Sequence, residues 1–322
     1  MAKGSVGKGW SLVWRHQKIL WWVFVVNLLT AFVATLGPRM MFNGVLDHSL
    51  ASGKLANGFD VPTFVELISR PDVSMAPLVR GSFVMSLVFF VFMLFITGGM
   101  LVAYREDRRL SMGEFFEASG VYFWRMVRLV LMSLVPFALL AVLLAVVSGI
   151  SSTLTDNAQN PKLGFYVMLG GYAVAVILAL IVRLWFDVAQ VRAVAQNEHA
   201  MFRNLMRSFP ITFRDLPTLF WMYFRISLFG WIFLALGMYG WTRLTGNHVS
   251  RVFLLFEIVL FAQLLTRLWQ RSASVSWYGE YAETHPAAAV EFTTPQPAEL
   301  PEPAPRLENP ITAEASAPQN VP

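Results

Sequence analysis

Six stretches of this chain are almost free of charge and are each about as long as a lipid bilayer is thick. They are 19–36, 82–103, 127–147, 165–186, 218–239 and 249–269. A helix needs roughly 20 apolar residues to cross about 30 Å of hydrocarbon. Over the whole chain 56% of residues are apolar and 14% charged, where a soluble domain carries about a quarter charged. Such a sequence cannot clothe a water-facing surface, so the 322 residues do not read as two soluble domains. The expected fold class is an all-α polytopic membrane protein with six transmembrane helices. The basic start followed by an apolar run also fits a signal peptide. The length of Ile19–Leu36 and the lack of a small-x-small site before Gly37–Pro38 favour an uncleaved first span.

The charges between the spans give a direction. Lys3, Lys8, Arg15 and Lys18 precede the first span. Arg105, Arg108, Arg109 and Arg125 lie in the second connection, and Arg192, Arg203, Arg207 and Arg214 in the fourth. The third and fifth connections carry only Lys162 and Arg243, and the long first connection is sparsely basic. Bases are held on the cytoplasmic side, which places the even connections and both termini there, in the cytoplasmic (inner) membrane of a bacterium. Trp21, Trp22, Trp124, Trp185, Trp221, Trp241 and Trp269 fall near span ends, where an indole ring is comfortable. Only Trp231 lies mid-span.

Residues 1–279 form the expected membrane domain. Beyond Gly279, glutamates recur among prolines and alanines, with Arg306 the sole base. That composition cannot offset the entropy of ordering, so 280–322 reads as a disordered acidic cytoplasmic tail, either a tether for a partner or dispensable.

Three segments share a plan: GWSLVWRHQKILWW from Gly9, FFEASGVYFWRMVRLVL from Phe115 and MFRNLMRSFPITFRDLPTLF from Met201. Each interleaves aromatic or aliphatic residues with bases and then enters a span. In the second, Phe115, Phe116, Ser119, Phe123 and Met126 approximate one stripe with Arg125 and Arg128 off it, which suits a helix lying in the interface with its bases towards acidic headgroups. Pro210 is expected to split the third into two short helices. The chain thus reads as three helical hairpins, each led by a cytoplasmic interfacial helix, although any juxtamembrane segment tends to be basic and aromatic.

The segment Asp187–Phe220, with Asp187, Ala189 and Arg192 in an Asp-x-Ala-x-x-Arg turn, resembles an element of bacterial six-helix integral membrane proteins. These are related to the membrane domain fused to some glycerophosphodiester phosphodiesterases. The likeness extends more weakly over 9–271 and leaves out the acidic tail. It implies a six-helix domain with no assigned reaction, and this chain shows no His/Glu/Asp cluster of a phosphodiesterase.

Charges within hydrocarbon are costly and normally paired. Arg225 in the fifth span and Glu257 in the sixth are placed by counting at levels about 6 Å apart. The pair is expected to staple adjacent helices, with a relay or substrate-contact role, or a snorkelling Arg225, as alternatives. Asn27 and Gln263 are candidates for interhelical hydrogen bonds. Arg183 and Asp187 have the spacing of a same-face pair, with Arg192 a further partner. Ala141, Ala145 and Gly149, and Gly171, Ala175 and Ala179, form small-residue stripes that would let two helices approach; Gly98 and Gly99 would loosen the second span. Asp60–Val61–Pro62 reads as the cap of a short surface helix.

The five histidines are isolated, cysteine is absent, and no metal, nucleotide or hydrolase motif appears. The chain therefore carries no expected catalytic residue, cofactor or metal, and no nucleic-acid partner. Expected partners are membrane lipids and other membrane proteins or further copies of the chain. The leading functional expectation is a non-catalytic membrane scaffold or accessory subunit. A small transporter or lipid-handling permease, with its site between the hairpins, is the alternative.

Overall fold

The structure, a computed structural model, describes residues 2–46, 62, 65, 66, 69, 76–157, 162–244 and 249–285. Eight α-helices are described. They are α1 (Ala2–Arg15), α2 (Gln17–Leu46), α3 (Ala76–Glu106), α4 (Met112–Asn157), α5 (Lys162–Ala195), α6 (Met201–Arg214), α7 (Leu216–Arg243) and α8 (Val249–Thr284). Six of them (α2–α5, α7 and α8) are long and apolar enough to cross a membrane. The protein is an all-α, multi-pass membrane bundle. The surface helix expected from Asp60 to Pro62 falls largely outside the described residues, as does most of the acidic tail.

Sequential spans pack on one another, α2 on α3, α4 on α5 and α7 on α8. The remaining helical segments cross to other partners: α1 lies on α8, the start of α4 on α3, and α6 on α5. Each crossing is fixed by the same device. Trp269 Nε1 donates to Val6 O and Trp185 Nε1 to Leu205 O, both at 2.9 Å, while Phe95 stacks on Phe116. One turn beyond each ring stands a residue small enough for close approach, namely Gly99, Ala189 and Ala273. A Cβ on Gly99 would overlap Ser119 Oγ and lie 2.7 Å from Phe115 O. Gly98 and Gly99 are therefore contact points within α3, where the sequence suggested loosening.

The well-packed core lies at the end of the bundle where these crossings occur. Leu20, Met100, Met126, Leu129, Leu219, Met222, Ile226, Leu268 and Trp277 are buried there. Towards the opposite end the side chains face outwards, as Val135, Leu139, Leu169, Val176, Leu236 and Leu254 do. An apolar exterior of that kind is stable only against lipid tails, because in water its exposure would be prohibitive.

Several local expectations change. The stripe on Phe115–Met126 does not lie free in the interface. It is the first part of a continuous α4 and packs on α3, with Ser119 and Met126 buried. Arg125 does not face headgroups but bonds Asn197 Oδ1 at 2.6 Å and His199 Nε2 at 2.7 Å. Helix α4 starts at a capping box in which Ser111 N donates to Glu114 Oε2 (2.7 Å) and Glu114 N to Ser111 Oγ (3.3 Å). Pro210 does not break α6, which continues to Arg214. Its ring is on the exposed face, while Asn204, Ser208 and Thr212 hold the buried face in place. The chain turns at Asp215 instead, with a proline in the first turn of α7. Of the small-residue stripes, Gly171 and Ala175 do face α4, and a Cβ on Gly171 would overlap Val147. Ala141, Ala145 and Gly149 face outwards. Helix α8 runs through Thr284, with Tyr281 and Ala282 buried, so the domain edge placed after Gly279 falls inside a helix.

Candidate functional site

Helices α3, α5 and α8 contact one another pairwise, and their sequences share a register. Arg183-Leu184-Trp185 recurs as Arg267-Leu268-Trp269, and Ala189 and Val191 are answered by Ala273 and Val275. Phe95, Gly99 and Leu101 hold the matching places on α3. Asp107 and Asn197, which follow α3 and α5 at equal register, share a φ of 48°. Arg15 pairs with Asp107 as Arg125 bonds Asn197.

At the position two residues beyond each ring stand Thr97, Asp187 and Arg271. Arg271 Nη1 donates to Thr97 Oγ1 at 2.8 Å. Asp187 Oδ2 accepts from Tyr223 Oη at 3.0 Å, and Tyr223 Oη lies 2.5 Å from Ser274 Oγ. Arg183 Nε is 3.9 Å from Asp187 Oδ2, and Arg183 Nη2 donates to Gln270 Oε1 at 2.6 Å. Gln270 Nε2 in turn donates to Ser227 Oγ at 2.8 Å. Four helices thus meet through one polar cluster at the base of the apolar spans. Arg183 stands beside the carboxylate of Asp187 and Arg271 adds a second guanidinium through Thr97, which leaves the cluster cationic.

Next to the cluster is a cavity of about 320 Å³. Apart from Ser276, its lining comes from the same register on each helix, as Leu101, Val191 and Val275 do. Tyr104 is buried and its hydroxyl has no hydrogen-bond partner among the described residues. Arg105 Nη1 donates to Val194 O at 3.0 Å.

The polar candidates of the sequence divide between this cluster and other places. Arg183 and Asp187 belong to it. Arg192 points elsewhere: it is buried and donates to Asn204 Oδ1 at 2.9 Å and Asn204 O at 3.3 Å. Five residues of helix carry its side chain round to a different face from Asp187. Gln263 Nε2 donates across the α7–α8 contact to Gly230 O at 2.8 Å. The amide of Asn27 has no hydrogen-bond partner among the described residues.

Arg225 and Glu257 do not pair. The guanidinium of Arg225 sits 5.3 Å from the Trp221 ring centroid, and Glu257 Oε2 is buried without a partner among the described residues. The contacts of Gly237 with Val259 and Gly240 with Leu255 set the antiparallel register. That register puts the two charges about 20 Å apart along the helices at 1.5 Å per residue. Counting inwards from both faces of a 30 Å core placed them too close, because α7 and α8 are longer than that core.

Thr97, Tyr223 and Arg271 were not singled out from the sequence. The repeated Arg-Leu-Trp…Ala-x-Val was the available signal, since it aligns Asp187 with Arg271 without any structure.

Just outside the spans, Glu198 accepts from Arg203 Nη2 at 2.6 Å, and this bond holds its carboxyl below the usual range. A depressed carboxyl pKa adds stability that is complete above the ordinary glutamate value and is lost as pH falls through the folded-state value. Acidification is therefore expected to speed amide exchange in the 196–200 turn, and Glu198→Gln should abolish that acid dependence.

Fold and cluster together define a six-helix polytopic membrane protein with a charged site where three helices of matching register converge. No family model, curated protein or solved structure matches this chain. Among the described residues no group of three or more His, Asp or Glu could hold a metal ion.

Proposed function

We propose that the chain is a small permease-type membrane protein that binds an anionic solute or lipid headgroup between three helical hairpins. The first and third hairpins are led by separate short helices and the second by the continuous start of α4, and both termini are cytoplasmic. The observation that carries this reading is the bond between Arg271 and Thr97, with Asp187 at the matching position of a third helix and bonded to Tyr223, one turn from a cavity walled by the same three helices. Ionisable groups within membrane helices are rare and costly and commonly line substrate or ion pathways. With the arginines in excess over Asp187, the favoured cargo is an anion. The basic elbows fit cytoplasmic placement, since bases are retained on that side, and the inner membrane of a bacterium is the proposed location.

The test is flux through proteoliposomes of the full chain, loaded either with inorganic phosphate or with fluorescent phosphatidylglycerol read by dithionite quenching. Efflux or scrambling well above protein-free vesicles, and its loss in Arg271→Gln, is the expected result. No flux of either probe above background in the unsubstituted protein would overturn the reading.

A scaffold or accessory-subunit role is a second proposal. Its support is that buried bonds tie the crossing helices down, Arg192 to Asn204, Trp185 to Leu205 O and Trp269 to Val6 O. Such rigid elements suit a docking platform. It predicts that affinity capture from native membranes returns one stoichiometric membrane protein.

A further inference from the structure

A second cavity, of about 290 Å³, lies away from the polar cluster, at the bend between α1 and α2. Its walls come from that bend, from α3, and from the connection into α4. One side is basic, with Arg15, Lys18 and Arg109, and the other is apolar, with Trp22, Phe92 and Phe115 among its lining. The bend immediately precedes the first span, Gln17–Gly37. The basic side therefore stands where a bilayer has headgroups, and the apolar side where it has acyl chains.

His16 is the residue at the bend. It lines the cavity, is 7% exposed, and its Nε2 has no hydrogen-bond partner among the described residues. A buried ring nitrogen left unbonded costs free energy unless a ligand completes it. The matching crossing segment of α4 has Met126 at this register, buried and apolar, and α4 runs through that place without a bend. The polar vacancy thus accompanies the bend at His16. Burial holds the His16 imidazole below its usual pKa, with Asp107 opposing that shift and Arg15 and Arg109 adding to it. Asp107 is engaged by Arg15, so among the described residues Lys18 and Arg109 stand at the mouth without an ion-pair partner.

We infer that the cavity at the α1–α2 bend binds an anionic phospholipid, its phosphate between Lys18 and Arg109 with one oxygen accepting from His16 Nε2–H, and its acyl chain along Trp22 and Phe92. The site does not depend on the proposed permease activity. It would fix the angle at which the first crossing helix meets the first span.

The test is native mass spectrometry of the full chain released from nanodiscs of equal parts phosphatidylglycerol and phosphatidylcholine. Preferential retention of phosphatidylglycerol is expected. One base near an anionic surface is worth about a fivefold preference, so Lys18→Gln/Arg109→Gln should lower the ratio by more than tenfold, and His16→Met should lower it too. Equal retention of the two lipids, or a ratio unchanged in the double variant, would refute the site. Displacement of phosphatidylglycerol by inorganic phosphate at matched concentration would also refute it, by assigning the pocket to a free ion. If His16→Met fails to fold, the double variant decides alone, because Lys18 and Arg109 are exposed and dispensable for packing.

Discussion

Arg271→Ala is expected to destabilise the bundle by roughly 2 kcal/mol, towards the lower end of what a hydrogen bond made by a charged group contributes. The substitution removes the donor to Thr97 Oγ1 and leaves Asp187 facing Tyr223 and the more exposed Arg183. Asp187 keeps a fifth of its side chain exposed, which is why the upper end of that range is not expected. Arg271→Lys retains charge but not the planar fork of donors, and should fall between. Arg225→Gln is the matched comparison: it too removes a charge from a span, but only from the face of Trp221, and should cost no more than about 1 kcal/mol. Thermal unfolding in nanodiscs reads all three. Equal losses for Arg271→Ala and Arg225→Gln would show that the cluster is not the centre of the fold.

Gly9→Val should detach α1 from α8. A Cβ at Gly9 would lie 2.7 Å from Ala273 N and 2.8 Å from Ala273 Cα. Both are backbone atoms, so neither can swing aside as the tip of a side chain could. Overpacking of this kind typically costs about 1–3 kcal/mol. Here separation also loses the bonds from Ser272 to Gly9 O and from Trp269 to Val6 O and the contacts of Ser5 and Lys8 with Glu280. The expected readout is limited proteolysis, with cleavage within α1 at protease levels that leave the parent protein intact. Gly7→Ala supplies the control. Nothing lies within 4 Å of the Cβ it would add, and an alanine in place of a helical glycine should stabilise by about 0.5–1 kcal/mol.

The apolar runs were readable because hydrocarbon imposes a length and forbids charge, and both constraints act on each segment by itself. All six spans follow from them, although the helices extend past the runs wherever packing against protein continues, as α8 does to Thr284. The Arg183–Asp187 spacing was equally local, since a helix brings residues four apart onto one face.

Partners on other helices could not be found by counting. Tyr223 joins Asp187 to Ser274, and Arg225 misses Glu257, because the register between α7 and α8 is set where Gly237 admits Val259 and Gly240 admits Leu255. A shift of a few residues there would pair different side chains with no change in any hydropathy run. Composition and periodicity, then, determined the fold class and the number of crossings, since lipid solvates each helix alone. Which charges share a site was decided only by tertiary packing, because close contacts at a few small residues choose the faces that meet.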